Sequence, residues 1–283
     1  MKTILVPTDF SNNAYCALYY AAKLFEKEPC RFIILNSFKD QILQITDPFY
    51  VYKSEELVSK LCSTSEAKCL AVQHKLISDI EPTKHTFQII ASSFFLIKAI
   101  QKVILKENVD FLVMGSKGAA AKENYFIGSN SFEVIESIKE VPLLIIPDQL
   151  EYKKPKKLGL ASGFKRGYSK KQLAPLKAIS KLFNAKTKII YVFEGEKLND
   201  TQLEHLQNLL KTSKKDGFEL QWLPETRSKA DTIMEYVYKE QIDILAICYH
   251  EHSFLSALFR ENLVKEISQT IRTPLLILPS NDL

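Results

Sequence analysis

Five apolar runs separated by helix-patterned segments occupy the first half of this chain, and the same arrangement is then written a second time. VDFLVMG…VPLLIIP in the first half can be laid over IDILAIC…TPLLILP in the second. A repeat of this size is one structural unit copied, so whatever the first half folds into the second should fold into as well. In the first half the strand-type runs are TILVP (3–7), FIILNSF (32–38), HTFQIIAS (85–92), DFLVMGS (110–116) and PLLIIP (142–147). Between them, Ser11 is placed to cap a helix carrying Ala14, Leu18, Ala21 and Ala22 at helical spacing. Residues 39–53 read as a loop, Ser54, Glu55 and Glu56 open a second helix, and further helices are expected near 94–107 and 129–139.

The second half repeats the strands as LGLAS (158–162), KIIYVF (188–193), FELQWL (218–223), DILAIC (243–248) and PLLILP (274–279). Continuously apolar strands alternating with helices predict a parallel sheet covered on both faces, an α/β architecture. The charged stretch DQLEYKKPKK, with Pro155, predicts a linker. The expected organisation is a domain over 1–147, a linker over 148–157 and a second domain over 158–283.

Glycine is scarce, with 8 residues in 283 where average usage of about 7% would give roughly 20. Three of these lie in MGSKGAAAKENYFIGSNS, with the spacing G-x2-G-x9-G-S formed by Gly115, Gly118, Gly128 and Ser129. This segment runs from the carboxyl end of the fourth strand to the start of the next helix, which is where open parallel sheets bind ligands. Glycines there let backbone amides approach a phosphate, and Ser129 and Ser131 offer hydroxyls at the positive end of a helix. Gly115 and Gly118 also suit tight turns and Ser129 suits an N-cap, while Asp9 can cap the first helix as readily as touch a ligand.

VPTDFS near the N-terminus, the G-x2-G-x9-G-S loop and the closing VPLLIIP together resemble the universal stress protein family, and the resemblance extends over the whole chain as a tandem pair. It implies two five-stranded parallel sheets of order 3-2-1-4-5 flanked by helices, of the adenine nucleotide alpha hydrolase-like kind. It also implies binding of ATP, or of ADP or AMP, with Mg²⁺ in the first half. By position, Asp9 would contact the nucleoside and backbone near Asn36 and Ser37 would meet the adenine. Met114, Gly115, Gly118, Gly128, Ser129, Asn130 and Ser131 would line ribose and phosphates. Lys117 and Lys122 are weaker candidates for reaching the phosphates. The fold's single-domain members suggest that the two halves pair through their fifth strands as an intrachain pseudo-dimer, and a homodimer of chains is compatible with this.

Aligned on the fourth and fifth strands, the second half has Cys248 at the position of Gly115, Glu251 at Gly118, Arg260 at Gly128 and Glu261 at Ser129, and Gly163 replaces Asp9. Two carboxylates would repel a triphosphate, so this half is read as a degenerate copy. YHEHS (249–253) brings His250, Glu251 and His252 together but supplies no further ligand, and polar surface contacts are expected there rather than a metal site.

Other chemistries lack their signatures. PTDFSN follows the first strand where nucleotide-activating enzymes have SGGxDS, and neither HxGH nor a Walker loop occurs. No catalytic residues are assigned; slow ATP hydrolysis or nucleotidyl transfer is the alternative to a stress-response sensor or interaction module. Five cysteines without CxxC spacing point to reduced thiols. The net charge of +5 comes with no nucleic-acid motif, and no apolar run approaches the length of a membrane span. The expected setting is cytoplasmic, with neither nucleic acid nor membrane as partner.

Overall fold

The computed structural model describes residues 1–45, 55–81, 84–118, 127–193, 195, 197–226, 228–248 and 273–279. The chain divides into two compact units, with the main boundary between Tyr152 and Lys153. Each is an α/β unit with a parallel sheet.

In the first unit the strands are β1 (Lys2–Pro7), β2 (Cys30–Ser37), β3 (Thr86–Ser92), β4 (Phe111–Gly115) and β5 (Leu143–Ile146), in the order β3-β2-β1-β4-β5. Ile4 pairs with Phe32 on one side and Phe111 on the other, so β1 is the central strand on which the register of the sheet rests. Ile4, Leu5, Val6 and Ile33, Ile34, Leu35 are fully buried, as strands covered on both faces must be.

Helices α1 (Asn12–Leu24), α2 (Lys39–Ile45), α3 (Glu55–Asp79), α4 (Leu96–Glu107) and α5 (Ser129–Ser137) connect them. The α2 segment departs from the loop expected over 39–53: Phe38 and Ile42 are buried and the Ile42 amide donates to the Phe38 carbonyl at 3.2 Å, so one apolar anchor holds this short helix. The long α3 buries only Ser65, Cys69 and Leu76, a narrow stripe on an otherwise solvated helix.

The second unit has β6 (Lys157–Ala161), β7 (Lys186–Phe193), β8 (Glu219–Pro224), β9 (Ile244–Cys248) and β10 (Leu275–Leu278), in the order β10-β9-β6-β7-β8. Counted within the unit this is again 3-2-1-4-5. Its helices among the described residues are α6 (Lys170–Phe183), α7 (Asp200–Ser213) and α8 (Lys229–Glu240). The helix expected between β9 and β10 lies outside the described residues, as do His250, Glu251, His252, Arg260 and Glu261. No described helix is long and apolar enough to cross a membrane.

Candidate functional site

The chain leaves β1 through a turn that carries Asp9 on the surface. The Thr8 amide donates to the Leu35 carbonyl at 2.8 Å, continuing the β1–β2 ladder by one step. Phe10 then takes φ 65°, a left-handed conformation that costs an ordinary residue about 1 kcal/mol or more. Two side chains offset that cost: Thr8 Oγ1 accepts from the Phe10 amide and Asp9 Oδ1 accepts from the Ser11 amide, each at 3.0 Å. Ser11, as expected, is the cap of α1, its hydroxyl accepting from the Ala14 amide at 3.2 Å. Asp9 therefore holds the turn before the helix instead of capping the helix.

β4, hydrogen-bonded beside β1, ends opposite this turn. A Cβ at Gly115 would stand 2.9 Å from the Asn13 carbonyl oxygen, so the first turn of α1 can seat here only over glycine. A Cβ at Gly118 would stand 2.8 Å from Asp9 Oδ2. The glycine loop thus meets α1 through one glycine and the Asp9 carboxylate through the next.

Both ends of that loop are pinned. The Ser116 amide donates to the Ile146 carbonyl at 2.7 Å, and the Gly128 amide returns to the Ser116 carbonyl at 2.8 Å. Gly128 has φ −76°, which any residue adopts, and it provides the α5 N-cap without a side chain. Ser129 and Asn130 are exposed in the first turn of α5, which contains no acidic residue and receives no side-chain cap. Ser131 turns inward instead, 2% exposed, and its hydroxyl donates to the Gly115 carbonyl at 2.9 Å. Met114 is buried in β4. Lys117 is 9% exposed with Nζ 3.6 Å from Asp148, so it is buried and ion-paired and not solvated. Lys122 lies outside the described residues.

At the end of β2, Asn36 is 3% exposed and its side chain is engaged on both sides. Nδ2 donates to the Thr8 carbonyl and Oδ1 accepts from the Ser65 hydroxyl, both at 2.7 Å. The Ser37 hydroxyl donates to the Phe94 carbonyl at 2.7 Å. Ser65 was not expected at the site; nothing in the sequence of α3 marks it.

The corresponding corner of the second unit is built from the same turn with different contents. Phe164 takes φ 55°, its amide donates to Ser162 Oγ at 3.1 Å, and the Ser162 amide donates to the Ile190 carbonyl. Gly163 stands where Asp9 does. Strand register places Tyr191 at the position of Asn36, since Leu35 pairs with Pro7 and Ile190 with Ala161. Tyr191 stacks on the fully buried Phe164 with ring centroids 5.1 Å apart, and Trp222 meets Tyr191 edge-on at 4.8 Å. Cys248 stands where Gly115 would be; α6 starts at Lys170 with a capping box of Ser169 and Gln172, and Gln172 Nε2 lies 3.5 Å from the Cys248 sulfur.

The whole chain is similar in fold to a universal stress protein from Archaeoglobus fulgidus, with a TM-score of 0.58 and 16% identity over 99% of this chain and 97% of that one. A functionally unknown protein from Pseudomonas aeruginosa gives a TM-score of 0.55 at 11% identity, over 100% and 94%. A universal stress protein solved in complex with cAMP aligns to 51% of this chain and 96% of its own at 17% identity, with a TM-score of 0.36. No curated protein matches the chain. Residues 1–147, more than half of the 283, match the universal stress protein family, and the chain belongs to that family.

Proposed function

We propose that residues 1–147 bind ATP, or the related ADP or AMP, at the carboxyl ends of β1, β2 and β4, and that occupancy makes this chain a stress-response sensor or interaction module. The observation that carries the reading is the seating of Gly118 on the Asp9 carboxylate, which joins the two sequence motifs at one point. Asp9 then faces the ribose, where a carboxylate accepts hydroxyl donors. Backbone at Asn36 and Ser37 borders the base, and Met114 and Gly115 floor the ribose. Gly118, Gly128, Ser129 and Asn130 present amides and a hydroxyl to the phosphates at the start of α5. Ser131 supports this by holding the helix start to the end of β4.

Among the described residues no group of three or more His, Cys, Asp or Glu could hold a metal ion alone. Mg²⁺ would accordingly enter on the nucleotide's own phosphate oxygens, neutralising part of their charge near Asp9. The 158–283 half is assigned no nucleotide. Mass spectrometry of small molecules released on denaturing freshly purified protein, together with calorimetry of ATP, ADP and AMP with and without Mg²⁺, tests the assignment. Release of an adenine nucleotide and saturable binding are expected. Absence of both sinks it.

A further inference from the structure

The Asp9 turn is supported from a distant helix. Ser65 on α3 is 4% exposed and donates its hydroxyl to Asn36 Oδ1, and Asn36 in turn donates to the Thr8 carbonyl, each at 2.7 Å. Thr8 holds the Phe10 amide through Oγ1, which keeps Phe10 left-handed and Asp9 under Gly118. One turn along α3, Lys68 places Nζ 5.5 Å from the centroid of the Phe10 ring. Every polar atom of the Asn36 amide oxygen and nitrogen pair thus has a partner in a buried setting, where such chains impose one geometry.

The second unit supplies an internal comparison. It keeps the turn, with Phe164 left-handed over Ser162, but has no carboxylate at Gly163, and there the Asn36 position is Tyr191, stacked on Phe164. In both units the turn is closed by the hydroxyl two residues before the left-handed phenylalanine, and what differs is what stands behind it, a polar relay in the first unit and an aromatic stack in the second. The relay accompanies the copy that carries Asp9.

We infer that Ser65 and Asn36 are positioning residues for ligand binding: the relay Ser65–Asn36–Thr8 fixes the Asp9 carboxylate against Gly118 and so sets affinity for a ribose-bearing ligand. This rests on the nucleotide reading, and its test is arranged to separate the two. In Ser65→Ala, Asn36 Oδ1 loses its donor in a buried place. In the ligand-free chain, amide exchange at Phe10 and Ser11 is expected to quicken about threefold or more in Ser65→Ala, while the Phe164 amide in the second unit stays as it was. Affinity for ATP with Mg²⁺ is expected to fall about three- to tenfold in the same variant and to recover in Ser65→Thr, which keeps the hydroxyl. In an Asp9→Asn background, Ser65→Ala should cost little further affinity, because both changes act through one carboxylate.

A relay that serves only stability would lower the unfolding midpoint and leave exchange at Phe10 and affinity of the folded chain unchanged; that outcome overturns the proposal, as do additive losses in the cycle. Should the parent chain bind no adenine nucleotide, the nucleotide reading fails. The exchange at Phe10 and Ser11 then still decides whether the relay holds the turn.

Discussion

Gly118 lies directly over Asp9: a Cβ added to the glycine would come within 2.8 Å of the carboxylate Oδ2. The contact is with the end of a side chain, which can swing aside. Gly118→Ala should therefore move the unfolding midpoint little, within about 0.5 kcal/mol, while displacing the carboxylate from the ligand. Calorimetry should show at least a several-fold loss of ATP affinity, and Gly118→Glu a larger one, since it adds like charge facing phosphate. Unaltered affinity in both variants removes Gly118 and Asp9 from the site.

Gly115 is a different case, because the atom it would meet is the Asn13 backbone carbonyl at 2.9 Å, fixed within α1. Either the helix or the strand end must shift. Gly115→Ala is expected to destabilise the fold by about 1–3 kcal/mol, visible as a lower urea midpoint in a chain with or without nucleotide. A midpoint equal to that of the parent chain contradicts the close approach.

These contrasts show where the sequence was readable. The apolar strands were legible because burial on both faces leaves no polar position to confuse the pattern, as Phe32–Leu35 illustrate. The Gly115 and Gly118 motif was legible as a spacing, but the reason for each glycine was not, since the contacts are with Asn13 and Asp9 a hundred residues away in sequence. Gly128 has an ordinary φ of −76°, so its place in the motif does not come from a left-handed backbone. The left-handed Phe10 and Phe164 give no compositional signal, because their strain is offset by Thr8 and Ser162 hydroxyls. Tyr191 could be matched to Asn36 only through strand register. The short α2 helix is not legible in the sequence because a lone buried anchor such as Ile42 produces no periodicity.

His85 gives the fold a pH dependence with a defined sign. It is 9% exposed, packed edge-on to Phe32 at 4.9 Å, with Nε2 3.2 Å from the Ala22 carbonyl. Burial lowers its pKa below the ordinary 6.5, with the Ala22 carbonyl and Glu26 opposing. The unfolded chain then takes up the proton first, so stability is full above pH 6.5 and declines as pH falls from there through the folded pKa. Urea midpoints between pH 7 and 5 should show this decline, and His85→Gln should flatten it relative to the parent. Parallel curves for the two chains exclude His85 as the source.

The thiols should sort by burial. Cys30 and Cys69 are buried and pushed up to about 11, whereas Cys16 and Cys62 are partly exposed. Burial raises the thiol pKa at these two as well, so reaction is slow throughout, but access favours them. Alkylation of the native chain followed by peptide mass spectrometry should find label at Cys16 and Cys62, with Cys30, Cys69 and Cys248 modified only after unfolding. Early label at Cys30 or Cys69 contradicts the packing around β2 and α3.

Nucleotide stoichiometry tests the asymmetry of the two copies. In the first unit the corner beside β1 has an exposed Asp9, a side-chain relay through Asn36 and a glycine loop. In the second, Gly163 offers no carboxylate, Cys248 ends β9, and the Phe164–Tyr191–Trp222 rings fill the corner. Calorimetry with ATP and Mg²⁺ is therefore expected to give one site per chain, abolished by Asp9→Ala combined with Gly118→Glu. Phe164→Ala should leave that count at one, because emptying the ring stack restores neither the carboxylate nor the glycines, and it should destabilise the second unit by about 3–5 kcal/mol through the cavity left by a fully buried phenylalanine. A count near two in the parent chain, or residual binding in the double variant, would place a ligand in the second unit and overturn its reading as the copy without a site.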